Sequence, residues 1–232
     1  SEPPARHDAA AAAADGNERV DGHFTSDEFS TIKTLSPLPP VPEDSTNRVS
    51  KDPEAAHLGQ FLFYDKRLSK GEQVNCASCH DPDHGFTVPT RLGEGLEKTP
   101  RHPPSLLNVA YQRWFDWDGK ADSLWSQAVR PLESPAEHGT TRTAVVALVY
   151  DSPRLRRAYE TIFGALPDLD ASELPTDARP TPDRPNSKPH TAWNSLTTEQ
   201  QSHINRIFTN LLKSIAAYIE QLRSGDAPFD TY

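Results

Sequence analysis

Cys76-Ala77-Ser78-Cys79-His80 contains the only two cysteines of the chain, spaced as in the attachment site of a c-type haem. In that chemistry the two thiols add across the haem vinyl groups, and the histidine binds the iron as its proximal ligand. Haem iron does redox work that no side chain does alone, so the motif points to electron transfer, peroxide chemistry, or both. Two plainer readings compete. A Cys-x-x-Cys pair also serves as a redox dithiol, but the flanking segments show no βαβ setting. It can also form half of a zinc site, for which Asp81, Asp83 and His84 are the nearby donors, cramped in spacing.

With His80 as the fifth ligand, the sixth decides what the iron can do. The chain has no methionine, so His–Met ligation cannot come from this polypeptide. His7, His23, His57, His84, His102, His138, His190 and His203 remain. Ligation by one of them would close the iron and favour a pure electron carrier, whereas an open iron would admit peroxide. Peroxide cleavage also needs a group that carries a proton between the two oxygens. Glu137 is a candidate, set against the ordinary surface preference of a glutamate, and the Gln127 amide could face the iron or simply face water. Trp114 and Trp117 are three apart, followed by Asp118-Gly119, a turn signal. They read either as core plugs or as indoles near the haem edge that relay electrons.

Helices must position these groups, because strand signals are few. Pro53 can open a helix to Phe63, with Ala55, Leu58, Phe61 and Leu62 as its apolar face. A second is predicted over Ala121–Arg130, ended by Pro131, and two more over Thr140–Tyr150 and Pro153–Phe163. The clearest periodicity runs from Thr198 to Arg223 through Ile204, Phe208, Leu211, Ile215, Ile219 and Leu222, with Thr198 as cap and Gly225 as stop. Residues 1–45 read as an extended or disordered arm: an alanine tract, then Pro37, Pro39, Pro40 and Pro42. The haem domain then spans 46–232, with an inserted proline-rich surface loop at 174–190. The fold class expected is all-α, a cytochrome c-like haem domain.

Hydrophobic residues make up 35%, a low figure that the arm and loop dilute and that haem would supplement in the core. The formal charge is -9, from 24 basic and 33 acidic residues. That argues against nucleic acid as a partner and suits a basic redox partner reached by electrostatic steering. No apolar stretch reaches transmembrane length. The chain begins at Ser1 with no hydrophobic signal segment, as expected of a mature form or of a chain that is not exported. Attachment of c-type haem in bacteria takes place outside the cytoplasmic membrane, so the periplasm is the expected compartment.

The chain resembles the bacterial di-haem cytochrome c peroxidase family, including its MauG-like branch. The residues that carry the resemblance start at Leu58-Gly59-Gln60 and run through Phe63-Tyr64-Asp65-Lys66-Arg67-Leu68-Ser69 to the Cys76–Pro82 segment and Gly85-Phe86-Thr87. They continue with Arg101, Pro104-Ser105-Leu106-Leu107-Asn108, Trp117-Asp118-Gly119, Gln127, Pro131, Glu133, Pro135, Glu137 and the Pro228–Tyr232 end. The resemblance implies that this is the helical N-terminal domain holding the peroxidatic, low-potential haem. A second, high-potential haem in a C-terminal domain supplies its electrons in the family. Trp117 falls at the family's inter-haem tryptophan, and Gln127, Pro131 and Glu137 fall where the distal pocket is lined. Glu137 is then the acid–base group for hydrogen peroxide, and Gln127 its hydrogen-bonding helper.

Three positions depart from the pattern. The second haem motif is missing, so the chain reads as a fragment, a proteolysed product or a single-haem form. Glu94 stands where many members keep a displaceable distal histidine, which implies a site open at rest. His102 replaces the asparagine that commonly binds an inter-domain calcium, so that ion carries over incompletely, and His102 becomes a conceivable sixth ligand if its loop folds inward. The function expected is reduction of hydrogen peroxide by a covalent haem c, one per chain. Electrons would come from a second haem domain, a partner cytochrome or a cupredoxin, by way of Trp117. The alternatives are a non-enzymatic electron-transfer cytochrome and a MauG-like oxidase acting on a protein side chain.

Overall fold

Asp52 and Pro53 start the helix against which the rest of the domain is built. The computed structural model describes residues 19–20, 22–225 and 227–231. The Asp52 carboxylate accepts the backbone N–H groups of Glu54 at 2.9 Å and Ala55 at 3.3 Å. Pro53 loses nothing at the first helical position, where its missing N–H would have no partner. Helix α2 (Pro53–Phe63) follows, after α1 (Ser26–Lys33) earlier in the chain. It buries Ala55, Leu58, Leu62 and Phe63, the spacing of a single face; Phe61, expected on that face, is only half-buried.

Its partner is α8 (Thr198–Ile219), which buries Ile204, Ile207, Phe208, Leu211, Leu212, Ile215 and Ile219. The cap is Thr197 rather than Thr198. Its hydroxyl accepts the Gln200 N–H at 3.1 Å, and the Gln200 amide oxygen accepts the Thr197 N–H at 2.9 Å. The helix ends at Ile219, short of Arg223: the Glu220 and Gln221 N–H groups bond back to Ala216 and Tyr218. Helices α2 and α8 cross at Gly59. A Cβ there would lie 1.9 Å from the Ser214 carbonyl oxygen, which is backbone and cannot swing aside. Gly59→Ala must therefore push the two helices apart. We expect it to cost about 3 kcal/mol, at the upper end for overpacking, read as a fall in the urea midpoint.

The predicted helix over 121–130 is two short ones, α3 (Leu124–Gln127) and α4 (Val129–Glu133), meeting at Ala128. Pro131 does not end the first. It sits third in the second, within the first turn, where a helix has no use for its N–H. Helix α5 (Arg142–Asp151) starts two residues later than expected, capped by Thr141, and α6 (Pro153–Phe163) has the expected bounds. A seventh helix, α7 (Lys188–Asn194), falls partly inside the proline-rich stretch. Ser187 caps it, and Pro189 occupies its second position.

The stretch 174–190 is not a free surface loop. Leu174, Ala178 and Thr181 are buried. The Thr143 hydroxyl donates to the Ala178 carbonyl at 3.2 Å and lies 3.0 Å from the Ala178 N–H, which donates to it. Arg179 and Arg142 both reach the carboxylate of Glu133, at 3.6 and 2.7 Å, and Arg142 lies over the Trp193 and Phe208 rings. The prolines give this segment a fixed path, and buried Leu174 and Ala178 attach it to the core.

Residues 19–40 and the chain's end form a separate compact unit. Here the arm expected over 1–45 carries structure. Arg19–Val20 pairs antiparallel with Phe24–Thr25, and α1 is capped by a reciprocal Thr25–Glu28 pair. Ser36 donates to Asp230 at 2.5 Å. The alanine tract at 9–14 lies outside the described residues. In the main unit Asn47 and Val49 are buried, and the Asn47 amide donates to the Lys213 carbonyl at 3.0 Å. The described fold is helical apart from the small two-stranded sheet, as the all-α expectation required.

Candidate functional site

The Cys-x-x-Cys-His segment is locked by the residue before it. The Asn75 side chain accepts the Ser78 N–H at 3.0 Å, while the Ser78 hydroxyl accepts the Asn75 N–H at 3.1 Å. The Asn75 amide also donates to the Tyr64 carbonyl at 2.8 Å, tying the segment to the end of α2. Residues 76–78 form one tight turn, and the His80 N–H donates to the Cys76 carbonyl at 2.9 Å. Cys76, Cys79 and His80 line one cleft of about 530 Å³, within the range of cofactor pockets. Phe63, Leu106, Val109, Leu124, Ile215 and Ile219 supply apolar walls.

The His80 Nδ1 lies 3.1 Å from the Phe86 carbonyl oxygen. A carbonyl only accepts, so Nδ1 carries the proton and Nε2 keeps its lone pair, the tautomer that metal-bound histidines use. Burial lowers the His80 pKa, which favours the neutral ring, although the Phe86 and Pro104 carbonyls oppose this. Burial pushes the Cys76 thiol up to about 12. Burial and the nearby Glu137 raise Cys79 as well. Thiols of this kind are not the low-pKa nucleophiles of a dithiol exchanger. Asp81, Asp83 and His84 do not line the cleft, and His84 pairs with Asp81 at 2.9 Å. Two thiols and one correctly protonated imidazole in a single cleft fit a covalently attached haem.

Gln127 and Pro131 reach the same cleft because α3 and α4 break at Ala128. The turn after α4 brings in Glu137. Its backbone is held by a neighbouring loop: Leu96 N–H donates to the Glu137 carbonyl at 3.0 Å, and Glu97 N–H to Ala136 at 2.9 Å. Gly95 makes that approach possible, since a Cβ there would meet the Ala136 carbonyl oxygen at 2.5 Å. Burial raises the Glu137 pKa above the usual carboxylate value, opposed by Ser134 and Arg130 and assisted by Asp116. Glu94 is exposed and does not line the cleft.

Gln127 donates its amide to Asp116 at 3.2 Å, and Arg130 pairs with the other Asp116 oxygen. Asp116 and Arg130 belong to the cleft lining and were not singled out from the sequence. The Asp118-Gly119 turn was the only signal near them, and it does not reveal that Asp116 adopts a φ of +66°. Trp114 and Trp117 are not core plugs. Both are about two-thirds exposed, and the buried ring of this stretch is Phe115. No helical turn joins the two indoles, because Phe115 and Ala121 pair as an isolated bridge. Trp117 lines the cleft, and its indole N–H donates to the His102 carbonyl at 2.9 Å. His102 also lines the cleft, but its ring is engaged at both nitrogens, by the Thr87 hydroxyl at 3.0 Å and the Thr90 carbonyl at 3.1 Å. No inward-folded loop frees it as an iron ligand.

Residues 53–232 match the family model described as di-haem cytochrome c peroxidase. The methylamine utilization protein MauG of Methylorubrum extorquens is 30% identical over 83% of this chain and 44% of its own. Cytochrome c551 peroxidase of Pseudomonas aeruginosa is 29% identical over 83% of this chain and 46% of its own. The chain thus spans about half the length of these curated relatives. Among solved structures, a MauG-like protein associated with microbial copper homeostasis aligns with a TM-score of 0.59 at 23% identity, covering 84% of this chain and 47% of that one. The diheme peroxidase BthA from Burkholderia thailandensis aligns at 0.53 and 24% identity, covering 73% and 39%. At such identities the structures support the fold. The family match covers the Cys76–His80 motif, the cleft it opens into and the helices that wall it: this chain belongs to the di-haem cytochrome c peroxidase family.

Proposed function

We propose that the cleft holds one haem c, attached through Cys76 and Cys79 and ligated by His80, and that the domain reduces hydrogen peroxide. The observation that carries this reading is the shared cleft. The Cys-x-x-Cys-His segment and the Gln127–Pro131–Glu137 group come from distant parts of the chain and line one cavity. Bound there, the haem would supply the redox chemistry that no side chain provides. The Glu137 carboxylate takes a proton from one oxygen of peroxide and delivers it to the other, which leaves as water. With two electrons and two protons supplied, peroxide becomes two waters. A raised carboxyl pKa suits a group that must both accept and return a proton near neutral pH. Gln127, oriented by Asp116, keeps its carbonyl oxygen for a hydrogen bond inside the cleft.

Trp117 serves the electron side. Its ring lines the cleft and is also open to solvent, so it offers a path from a donor haem, cytochrome or cupredoxin to the cofactor. The acidic chain favours a basic donor. The periplasm is the compartment in which such a haem is attached and such donors circulate. The reading is tested in the haem-loaded protein by following oxidation of a reduced c-type cytochrome on addition of peroxide. Saturable, peroxide-dependent oxidation is expected, and its absence would overturn the proposal. Trp117→Phe should slow donor oxidation roughly tenfold, about 1.4 kcal/mol on the barrier, and leave the peroxide-binding rate unchanged. Equal slowing of both would remove the indole from the electron path.

A further inference from the structure

Phe63 is buried and lines the cleft. Two tyrosine rings pack edge-on against it, Tyr64 at 5.2 Å between centroids and Tyr218 at 5.3 Å. The tyrosines also meet each other, with rings 6.5 Å apart and hydroxyl oxygens 3.4 Å apart. These are ordinary aromatic contacts, so the three rings form one continuous cluster. Neither tyrosine lines the cleft itself. Tyr218, near the end of α8, is 7% exposed. Tyr64 is 39% exposed and lines a separate surface groove with His57, Gln60, Phe61 and Lys66. The cluster thus joins the wall of the cleft to a second opening. A backbone link runs beside it: Asn75, bonded to Cys76, donates its amide to the Tyr64 carbonyl at 2.8 Å.

Of these side chains only the phenols give up an electron readily, and a phenol that does so also sheds its proton. Tyr218 is poorly placed for that. Burial and the Tyr64 hydroxyl raise its pKa, opposed by Gln60. Tyr64 has the water of the groove to take its proton. We propose that Tyr64 is a second oxidation site, at which small phenols are oxidised on the surface of the domain. The proposal rests on the haem reading above. Peroxide oxidises the cofactor by two electrons and, with two protons, leaves as two waters. Tyr64 returns one electron to the cofactor through Phe63 and releases its proton to the groove. A phenol in the groove restores Tyr64 by giving it one electron and one proton together, and departs as a phenoxyl radical. A second phenol repeats the cycle, so one peroxide and two phenols become two waters and two phenoxyl radicals. The lining suits this substrate: Phe61 adds apolar surface, and His57, Gln60 and Lys66 add polar contacts. The Asp65 carboxylate in the lining is held by Arg67 at 2.6 Å, and the Arg154 guanidinium lies 4.6 Å over the Phe61 ring. A phenol bearing a carboxylate is therefore favoured over a cationic one.

The test uses the full chain with haem attached, given peroxide in the absence of a donor. Electron paramagnetic resonance should show a tyrosyl radical in the wild type. Tyr64→Phe should abolish that signal and slow the oxidation of ferulate, a phenolic carboxylate, by about tenfold or more. Oxidation of a reduced c-type cytochrome should be unchanged in the same variant. Tyr218→Phe should keep both the radical and the ferulate activity, because Tyr64 meets Phe63 directly. A nitroso spin trap added with peroxide should be found by mass spectrometry on the Tyr64 peptide of the wild type, which reads the site without any substitution. A wild-type protein that reduces peroxide without forming a radical overturns the assignment of Tyr64 and leaves the peroxidase reading intact. So does a radical or ferulate activity that survives Tyr64→Phe, or a trap found only on other residues. A protein that consumes no peroxide overturns both.

Discussion

Glu137→Gln is expected to lower peroxide turnover by about 10²- to 10⁴-fold, the range in which a positioned proton carrier contributes. The substitution is nearly isosteric. It leaves undisturbed the backbone bonds from Leu96 and Glu97 that hold the turn, because these go to the carbonyls of Glu137 and Ala136 and not to the side chain. The haem absorption spectrum should therefore be retained, and the loss should appear in the step that breaks the oxygen–oxygen bond. The pH profile sharpens the prediction. Burial raises the Glu137 pKa, so the proton-accepting form is lost at a higher pH than for an ordinary carboxylate. Turnover of the wild type should fall as pH drops through that raised value and level off above it. The Gln variant has no carboxyl to titrate and should show no acid limb there. Turnover within a few-fold of wild type, or an unchanged acid limb, would take Glu137 out of the mechanism.

The same residue shows what the sequence could and could not reveal. Glu137, Gln127 and Pro131 could be named only through the resemblance to the family, and all three line the cleft with Cys76, Cys79 and His80. What positions Glu137 was not legible. The ladder from 96–97 to 136–137 is made by backbone groups, and Gly95 takes part only by lacking a Cβ. Helices with a strong apolar face or a proline start, α2, α6 and most of α8, could be read directly. The α3–α4 break could not, since a proline in the first turn of one helix looks in sequence like the end of the previous one. The proline-rich stretch misled by composition: its few apolar residues, Leu174 and Ala178, are the ones that bind it to the core. Of the two readings open for Trp114 and Trp117, burial as core plugs fails, since both rings are exposed, while Trp117 lines the cleft.

Replacing both cysteines, Cys76→Ser with Cys79→Ser, is expected to have the largest effect on the protein as a whole. Haem in a c-type site is held by two covalent bonds and one iron–imidazole bond. Serine removes the first two and leaves His80, whose anchor at Phe86 does not involve the thiols. Denatured variant protein should then release its pigment into acidified organic solvent, whereas the wild type keeps it on the polypeptide. Stability should follow. The cleft of about 530 Å³ is walled by Phe63, Leu106, Val109, Leu124, Ile215 and Ile219, side chains on α2, α3 and α8 and in the loop at 106–109 that need a hydrophobic partner between them. A group that binds only the folded chain stabilises it by mass action, and a covalently tethered one acts at a very high effective concentration. Once the tether is cut, occupancy depends on free haem. The thermal midpoint of the double variant should fall and become dependent on added haem, while that of the wild type should not respond. A single substitution, Cys79→Ser, leaves one bond and should retain pigment after denaturation. Pigment that stays on the polypeptide in the double variant would place the attachment elsewhere, and Cys76–His80 would lose its role as the site on which the proposed peroxide chemistry depends.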